Sequence, residues 1–410
     1  MKLKFLPILF MSILALVSCS DDDDDPVVAP VQTAKHFNGN ELSLKIGNNV
    51  VLGKDILFTP DANDPTAATL TFAGAKFDVN AAMNEGNRAE TKFAYATSSI
   101  FAGEATVDLP IKMELTGDLG KFGGNGESKY YTFDYTGSVL ENNLEVVISN
   151  VVLKNNPIAN TTWKLAPVIQ NDWGEQESTP FIIEWKADKM VDLDMFGSVI
   201  PMPAEDVLKM AIGVMPLIEI EEGKKVTVAE AIVAILQTIG FENDGNLKAT
   251  YMDLKTKQPV VSPYGVAQYV VEGDKIKLVL NPFAIAATAK KDNNAQAEES
   301  PMTGMMQAIV PMILESINAE DKLVNGVDIT YTLDGNKMSV CLDETLFLPV
   351  LKVLSPMLEN EDIINAAIEM LKQNPDMAAF APTMGSVLKS LPEVINTTTS
   401  MKIGFNLIKM

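Results

Sequence analysis

The residue types that most often carry chemistry are scarce in this chain of 410 residues. It has one histidine, His36, and two cysteines, Cys19 and Cys341. Zinc sites need clustered Cys and His ligands, and the sequence has no HExxH and no paired CxxC spacing. A serine nucleophile could take only His36 as its base, and no GxSxG stretch is present. These absences predict a protein with no metal, no cofactor and no enzymatic activity.

Carboxylates are the one abundant group that could act as acid and base. Asp192 and Asp194 form a close pair, and Glu219, Glu221 and Glu222 form a cluster. A glycoside hydrolase needs two carboxylates across a cleft, which spacing along a chain does not show. In a chain with 54 acidic and 32 basic residues such groups are usually solvated surface. A carboxylate-dependent glycoside hydrolase stays open as an alternative.

Two groups of side chains could bind a ligand. Trp173 lies in the polar stretch Asn171–Glu175, where an exposed indole could stack on a sugar or hold a protein partner. Met305, Met312 and Met357 belong to Met-rich helical segments that could line an apolar cavity, because methionine is flexible and polarizable. The alternative for both groups is structural, with the indole folded over its own domain and the methionines filling a core.

Cys19 stands at the end of a recognisable N-terminal pattern. Two lysines give a positive start, and Phe5–Val17 is an apolar run too short to span a bilayer. This layout predicts a secretory signal peptide over residues 1–18. Leu16-Val17-Ser18-Cys19 resembles the lipobox of bacterial lipoproteins. The resemblance implies cleavage before Cys19 and acyl chains such as palmitate on that residue, which anchor the protein to a membrane. An ordinary signal peptide with an incidental cysteine is the alternative.

Residues 19–34 are predicted to form a lipidated acidic tether. Ser20 is followed by Asp21-Asp22-Asp23-Asp24-Asp25, whose carboxylates repel one another and cannot pack. From Ser20 to Ala34 the reach is at most about 50 Å at roughly 3.3–3.6 Å per residue. An acidic run after a lipidated cysteine also resembles the export signal of surface lipoproteins in the Bacteroidetes. It implies an outer-membrane protein exposed at the cell surface, although a spacer facing the periplasm predicts the same composition.

The charge of the chain excludes some partners. The formal net charge is −22, and it becomes −24 once Lys2 and Lys4 leave with the signal peptide. Binding to nucleic acid needs clusters of Lys and Arg, and the sequence has none. Anionic membrane surfaces would repel such a body, so membrane contact is expected only through the lipid on Cys19. Cys341 is left without a partner within the chain and is predicted to be an inert core thiol.

The predicted secondary structure changes from all-β to mixed at Asn155-Asn156-Pro157. Residues 35–156 are predicted to form an all-β domain. Glu41–Ile46 alternates polar and apolar residues, a Gly-Asn-Asn turn follows, and Val50–Phe58 forms the next strand. Many short strands joined by such turns indicate an antiparallel barrel or sandwich.

Residues 157–410 are predicted to form a second antiparallel β-domain with helical insertions, an α+β arrangement. Helices are expected at Ala204–Ile220 and Val226–Ile239, and further helices are rich in methionine. Glu272-Gly273-Asp274 is expected to turn a hairpin. Two strands are expected within Glu393–Met410.

These strands carry a family resemblance. Glu41–Ile46 with Val50–Phe58, and Gly137–Val146, look like parts of the calycin-like β-barrel domains of uncharacterised Bacteroidales lipoproteins. Thr161–Leu165 and Tyr264–Leu278 look like lipocalin-like strands of the same group. The resemblance implies a mainly β fold and a surface location. It supplies no activity and no site residues.

The features combine into a prediction of function. We expect a cell-envelope lipoprotein that binds a ligand or partner without catalysis, the ligand being an apolar small molecule, a glycan or a protein. Beside the hydrolase, a structural subunit of a surface assembly is an alternative, because exposed sheet edges can accept a partner strand.

Overall fold

The computed structural model describes residues 28–79, 94–170, 176–195, 197–214, 218–221, 224–253, 256–292, 312–373 and 378–410. The strands are β1 (Lys35–Phe37), β2 (Leu42–Ile46), β3 (Asn49–Val50), β4 (Lys54–Pro60), β5 (Ala67–Gly74), β6 (Phe77–Asp78), β7 (Ala94–Tyr95), β8 (Thr106–Thr116), β9 (Leu119–Glu127), β10 (Tyr131–Leu140), β11 (Asn143–Leu153), β12 (Thr161–Leu165), β13 (Ile169–Gln170), β14 (Gln176–Ser178), β15 (Phe181–Ala187), β16 (Val191–Met195), β17 (Ser198–Met202), β18 (Ile218–Glu221), β19 (Lys224–Val226), β20 (Leu236–Phe241), β21 (Leu247–Met252), β22 (Pro259–Val261), β23 (Ala267–Glu272), β24 (Lys275–Leu280), β25 (Val327–Asp334), β26 (Lys337–Asp343) and β27 (Thr398–Lys409). The helices are α1 (Ala204–Gly213), α2 (Val228–Ile235), α3 (Pro282–Asp292), α4 (Ala319–Asn325), α5 (Glu344–Leu358), α6 (Glu361–Gln373) and α7 (Ala381–Asn396). The structure confirms the prediction of a mainly β protein with antiparallel sheets and helices, and one sheet curls into a half-barrel.

The first sheet curls because its two edges are joined by a short link. Its order is β1-β4-β5-β8-β9-β10-β11-β2-β3, and only β11 and β2 among these neighbours run parallel in the described residues. β1 and β2 lie on opposite sides of this order, although residues 38–41 alone connect them. Such a link spans at most about 18 Å at roughly 3.6 Å per residue, so the edges must approach. Lys35 Nζ bridges the gap by donating to the Glu141 carbonyl at 2.7 Å and to Asn142 Oδ1 at 2.8 Å.

Side chains fill the concave side of the curled sheet. Along β8 the residues alternate between exposed and buried, which is the period of a strand with one solvated face. Its inward residues, Leu109 and Ile111, join Phe58, Leu70 and Phe133 in one continuous core. Each such side chain contributes roughly 1.5–3 kcal/mol by leaving water. The interior of this sheet is therefore a packed core.

The second sheet is built around the C-terminal strand. Its order is β22-β21-β20-β12-β27-β26-β25-β24-β23, and β15 also pairs with β27. The twelve residues of β27 contact β26 along one side and β15 and then β12 along the other. Trp185 of β15 packs with β16, α1 and α7 in a separate cluster, and its Nε1 donates to Thr398 Oγ1 at 2.9 Å.

Two predicted helices are wrong in extent. The helix expected at Ala204–Ile220 ends at Gly213, and Ile218–Glu221 forms β18. The helix expected at Val226–Ile239 begins behind a capping box of Thr227 and Glu230 but ends at Ile235. From Leu236 onward the chain pairs with β21 and β12. Pairing on both sides in the sheet outweighs the weak helical preference of these apolar residues.

The C-terminal segment was also predicted wrongly. In place of two strands within Glu393–Met410, residues up to Asn396 complete α7 and Thr398–Lys409 is one continuous strand. In the structure a Cβ at Gly404 would lie 2.0 Å from the Val340 carbonyl oxygen, so glycine serves close strand packing here.

The two sheets share one core. Phe101 stacks on Tyr131 of the first sheet at 4.7 Å, and the Tyr131 hydroxyl donates to the Tyr269 carbonyl of β23 at 3.3 Å. The Leu153 N–H donates to the carbonyl of Asn243 at 2.9 Å. β11 ends at Leu153 and β12 begins at Thr161, so residues 154–160 connect the first sheet to the second. The domain limits of 35–156 and 157–410 stay a prediction.

Two residues of the predicted tether pack against the first sheet. Val31 is only 4 % exposed and belongs to the core. Pro30 Cγ lies 3.1 Å from the position that a Cβ on Gly120 would take. The prediction that Pro30 and Val31 are solvated is therefore wrong, because these apolar residues gain more by burial against the sheet than by hydration.

Candidate binding cleft between the two sheets

A cleft of about 150 Å³ lies where an edge of the first sheet meets an edge of the second. One wall comes from the end of β2 and the segment after it, a second from the turn before β23 and the start of that strand, and a third from α3. The described lining residues are Ile46, Val50, Val51, Leu52, Pro263, Tyr264, Gly265, Gln268, Asn281, Ala284, Ala287 and Thr288. A cavity of this volume is large enough for a benzene-sized molecule.

Asn281 attaches the helical wall to the first sheet. Its Oδ1 accepts hydrogen bonds from the N–H groups of Phe283 at 3.1 Å and Ala284 at 3.3 Å, which caps the start of α3. Pro282 follows at the first helical position, where the lack of an N–H costs nothing. The Nδ2 of Asn281 donates to the Leu52 carbonyl at 3.2 Å. One side chain thus begins the helix and fixes it to the opposite wall.

Phe283 also holds α3 against the first sheet, by packing on the backbone at Gly53. A Cβ at Gly53 would lie 2.1 Å from Phe283 Cδ2, and Gly53 has a φ of +70°. The ring can rest on the backbone only because glycine stands there. Phe77 packs edge-on against Phe283 at 5.0 Å between ring centroids. Any larger residue at position 53 would push α3 away from the cleft.

Gln268 is the one lining side chain with an uncommitted polar group in the described structure. The residue is only 8 % exposed. Its side-chain amide makes no hydrogen bond with any described residue, yet its atoms are not sealed from solvent. A buried amide without partners costs free energy, since it gives up hydrogen bonds to water. An amide at this place is positioned for a ligand or for water.

The other polar groups of the cleft already have partners. The Tyr264 hydroxyl donates to Asp244 Oδ2 at 2.9 Å, and the Thr288 hydroxyl donates to the Ala284 carbonyl at 2.9 Å. The Gly265 N–H donates to Asn246 Oδ1 at 2.8 Å. Burial, aided by the Asp244 carboxylate, raises the pKa of Tyr264 well above its usual range. The cleft therefore stays uncharged at physiological pH.

A second cluster of polar groups lies on the surface of the junction. Lys129 Nζ is 3.1 Å from Glu272 Oε1, and Lys277 Nζ is 3.0 Å from Glu272 Oε2. The Tyr130 hydroxyl donates to the same carboxylate. This hydrogen bond and the two lysines lower the pKa of Glu272 to about 2. The Glu272 carboxylate is thus committed to these three partners, and the cluster links β23 and β24 to the first sheet.

His36 forms an exposed pair with Asp55 and does not line the cleft. Its Nδ1 is 2.7 Å from Asp55 Oδ1, and Asn38 Nδ2 donates to Asp55 Oδ2 at 3.1 Å. The imidazole is 64 % exposed. Histidine and carboxylate join β1 to β4 on the outer surface of the curled sheet.

The cleft contains none of the residues predicted as site residues. Cys19, the export-signal candidate Ser20–Asp25, Trp173 and Met305 lie outside the described residues. Met312 is described, in a helical turn at residues 312–316, and is 53 % exposed. Met357 is half-buried in α5. Neither of these two methionines lines the cleft.

The cleft was not predicted, although two weak signals of it are present in the sequence. Gln268 is a lone amide in the otherwise apolar run Val266–Val271, where a strand buried on both faces would carry no polar side chain. Asn281-Pro282 before an apolar segment is the signature of a helix start. Neither signal shows that Gln268 and Asn281 lie beside the same cleft.

Within the described parts of the chain, no helix combines the length and apolar character needed to cross a bilayer. The same parts hold no group of three or more His, Cys, Asp and Glu side chains arranged to bind a metal ion. Comparisons of the chain with protein-family models, with curated proteins and with solved structures found no match.

Proposed function

We propose that this protein is a cell-envelope lipoprotein that binds a small, mainly apolar ligand in the cleft between its two sheets, without catalysis. The observation that carries the proposal is Gln268. Gln268 is nine-tenths buried as a residue, its amide has no described partner, and it lines a cleft whose other walls are mostly apolar. Such a pocket, apolar with few convergent polar groups, is the usual form of a small-molecule site.

The lining favours binding over hydrolysis. A glycoside hydrolase needs an acid and a base at the site. The described residues that line the cleft include no carboxylate, histidine or cysteine. Apolar groups surround the remaining space, with Val50 61 % exposed and Leu52 41 % exposed at its rim. An apolar ligand would remove these exposed side chains from water, which is favourable.

We also propose a cellular location and a fold type for this protein. Acyl chains on Cys19 would hold the protein at the outer membrane, with the body at the cell surface, as the N-terminal pattern predicts. The curled sheet supports a calycin-like first half, because its edges approach through Lys35. The second sheet and its helices would form a lipocalin-like half. Its ligand would lie in the cleft, outside the packed core.

A binding experiment with a filled cleft tests the proposal. Ala287 lines the cleft, and its neighbour Ala286 in α3 does not. Toluene is the probe, because it is uncharged and matches the volume of the cleft. We expect saturation-transfer NMR to detect toluene on the wild-type protein and on Ala286→Leu, and to lose at least 90 % of the signal on Ala287→Leu, roughly the tenfold loss that 1.4 kcal/mol brings.

The control keeps folding and binding apart. Circular dichroism should show the same fold for both variants, and Ala284→Leu, at a second lining position, should also lose the signal. Equal toluene signals on wild type and both cleft variants would show that the ligand does not bind here.

A further inference from the structure

We propose that the cleft selects uncharged molecules that are mostly apolar and carry one hydrogen-bonding group, which pairs with the Gln268 amide. The proposal rests on the proposed function, and it names the ligand class that the same cleft would take. Three features of the described residues lead to it: the absence of charge in the lining, the single available amide, and the volume.

The absence of charge excludes ions. The described lining residues are all uncharged, and Tyr264 stays protonated because its hydroxyl is buried and donates to Asp244. An ion entering this cleft would lose water and find no charged side chain among the described lining residues, which costs several kcal/mol. An anion would also enter a chain whose net charge is −22. Neutral molecules meet neither penalty.

The hydrogen-bonding capacity excludes sugars. A monosaccharide presents hydroxyl groups around its ring, and each needs a partner when it is buried. Of the polar side chains in the described lining, Tyr264, Asn281 and Thr288 are committed to hydrogen bonds within the protein. Gln268 alone offers an acceptor oxygen and an NH₂ donor. One polar group on the ligand satisfies it.

The pairing group should both donate and accept. An amide side chain has a carbonyl oxygen and an NH₂ group side by side, so a primary amide on the ligand can form two hydrogen bonds with it. A hydrocarbon of the same size would fill the cleft but leave Gln268 unpaired, at a cost. The volume of about 150 Å³ limits the enclosed part to a group of benzene size.

Three probes of one size separate the possibilities. Toluene, benzamide and benzoate share a phenyl ring and differ in the group that would face Gln268. We expect isothermal titration to rank benzamide first, toluene about fivefold weaker by the net value of a hydrogen bond, and benzoate at least tenfold weaker than benzamide. Gln268→Met keeps the length and removes the amide. It should weaken benzamide about fivefold and leave toluene unchanged or tighter.

Gln258→Met is the matched control, because Gln258 is exposed in the loop before β22. It should bind all three probes like wild type. Benzoate binding as tightly as benzamide, or Gln268→Met weakening toluene and benzamide equally, would overturn the inference and leave the proposed function standing. Failure of wild type to bind any probe would remove the proposed function together with the inference.

Discussion

Lys54 has a buried amine whose loss of hydration is offset by few interactions. It begins β4, is 7 % exposed, and its Nζ donates to the Ser98 carbonyl at 2.9 Å. Among the described residues this is its one hydrogen bond, although an ammonium has three donors. Burial lowers the pKa of Lys54 to about 8 from its ordinary value of 10.5. The chain keeps a residue here that costs stability whenever it is charged.

The Lys54 pKa predicts a pH dependence of unfolding. Below about pH 8 both folded and unfolded chains carry the proton, so the folded state bears the full cost of a buried charge. Between about pH 8 and 10.5 the folded chain has released the proton while the unfolded chain keeps it, so stability rises with pH. The rise is at most about 3 kcal/mol, at 1.36 kcal/mol per pKa unit.

Urea unfolding at pH 7 and pH 10 measures this contribution. Wild type should gain stability relative to Lys54→Met as the pH rises, because the methionine variant lacks the titrating amine. Other groups titrate equally in both proteins and cancel in the difference. Lys45→Met, at an exposed lysine of β2, should follow wild type. Parallel pH profiles for wild type and Lys54→Met would contradict the prediction.

Asn281 fixes the position of helix α3 against the first sheet. The side chain makes both the helix cap and the hydrogen bond to the Leu52 carbonyl. Asn281→Ala removes all of these bonds, and we expect a loss of about 1–2 kcal/mol in the free energy of unfolding. Because the helix wall is then free to move away from Leu52, toluene affinity should fall as well.

Asn281→Asp separates the two roles. Aspartate keeps the acceptor that caps α3 and lacks the NH₂ that donates to Leu52. We expect it to retain most of the stability lost by Asn281→Ala, measured by urea unfolding, but to show the same reduced toluene affinity. Unchanged toluene binding in both variants would show that the cleft does not depend on this attachment.

Some strands and helices can be predicted from the local residue pattern, whereas others depend on hydrogen bonding to distant strands. β8 alternates over eleven residues, and its strand period is visible in the sequence. Val226–Ile239 is apolar enough for a helix or a buried strand, and it forms α2 and then β20. What ends the helix at Ile235 is hydrogen bonding of the following residues to β12 and β21, which lies beyond any local window.

At the scale of the whole molecule, the chain enters the curled sheet at the end opposite to the cleft. We call the end at which the chain enters the proximal end and the opposite end the distal end. Pro30 and the turns at Gly117-Asp118 and Glu141-Asn142 lie at the proximal end. The cleft lies at the distal end, beside Ile46 and Leu52. β8 runs from the distal to the proximal end over eleven residues, at most about 35 Å at roughly 3.3 Å per residue.

An anchored protein should therefore present the cleft away from the membrane. With acyl chains on Cys19 as proposed, a fluorophore attached through Asp118→Cys should be quenched strongly by quencher-labelled lipid in vesicles. One attached through Asp274→Cys, in the exposed β23–β24 turn, should be quenched much less. The measurement uses lipidated protein in a Cys341→Ser background, so that one thiol is labelled.

Unlipidated protein with Cys19→Ala is the control and should show no quenching at either site. Equal quenching at positions 118 and 274 in the lipidated protein would contradict the orientation. It would mean that the body takes no fixed orientation at the membrane.

Properties that depend on composition and on neighbouring residues can be read from the amino-acid chain alone. The acidic charge, the scarcity of metal and nucleophile ligands, the predicted lipid anchor and the mainly β character all follow from residue types or short periods. The tertiary structure alone decided that the two sheets share a core, that Val31 is buried, and that Lys54 and Gln268 lose most of their water. The cleft joins Leu52 to Asn281 across 229 residues of chain. Contacts at such separation arise from many weak interactions summed over the whole fold, and no local pattern contains that sum.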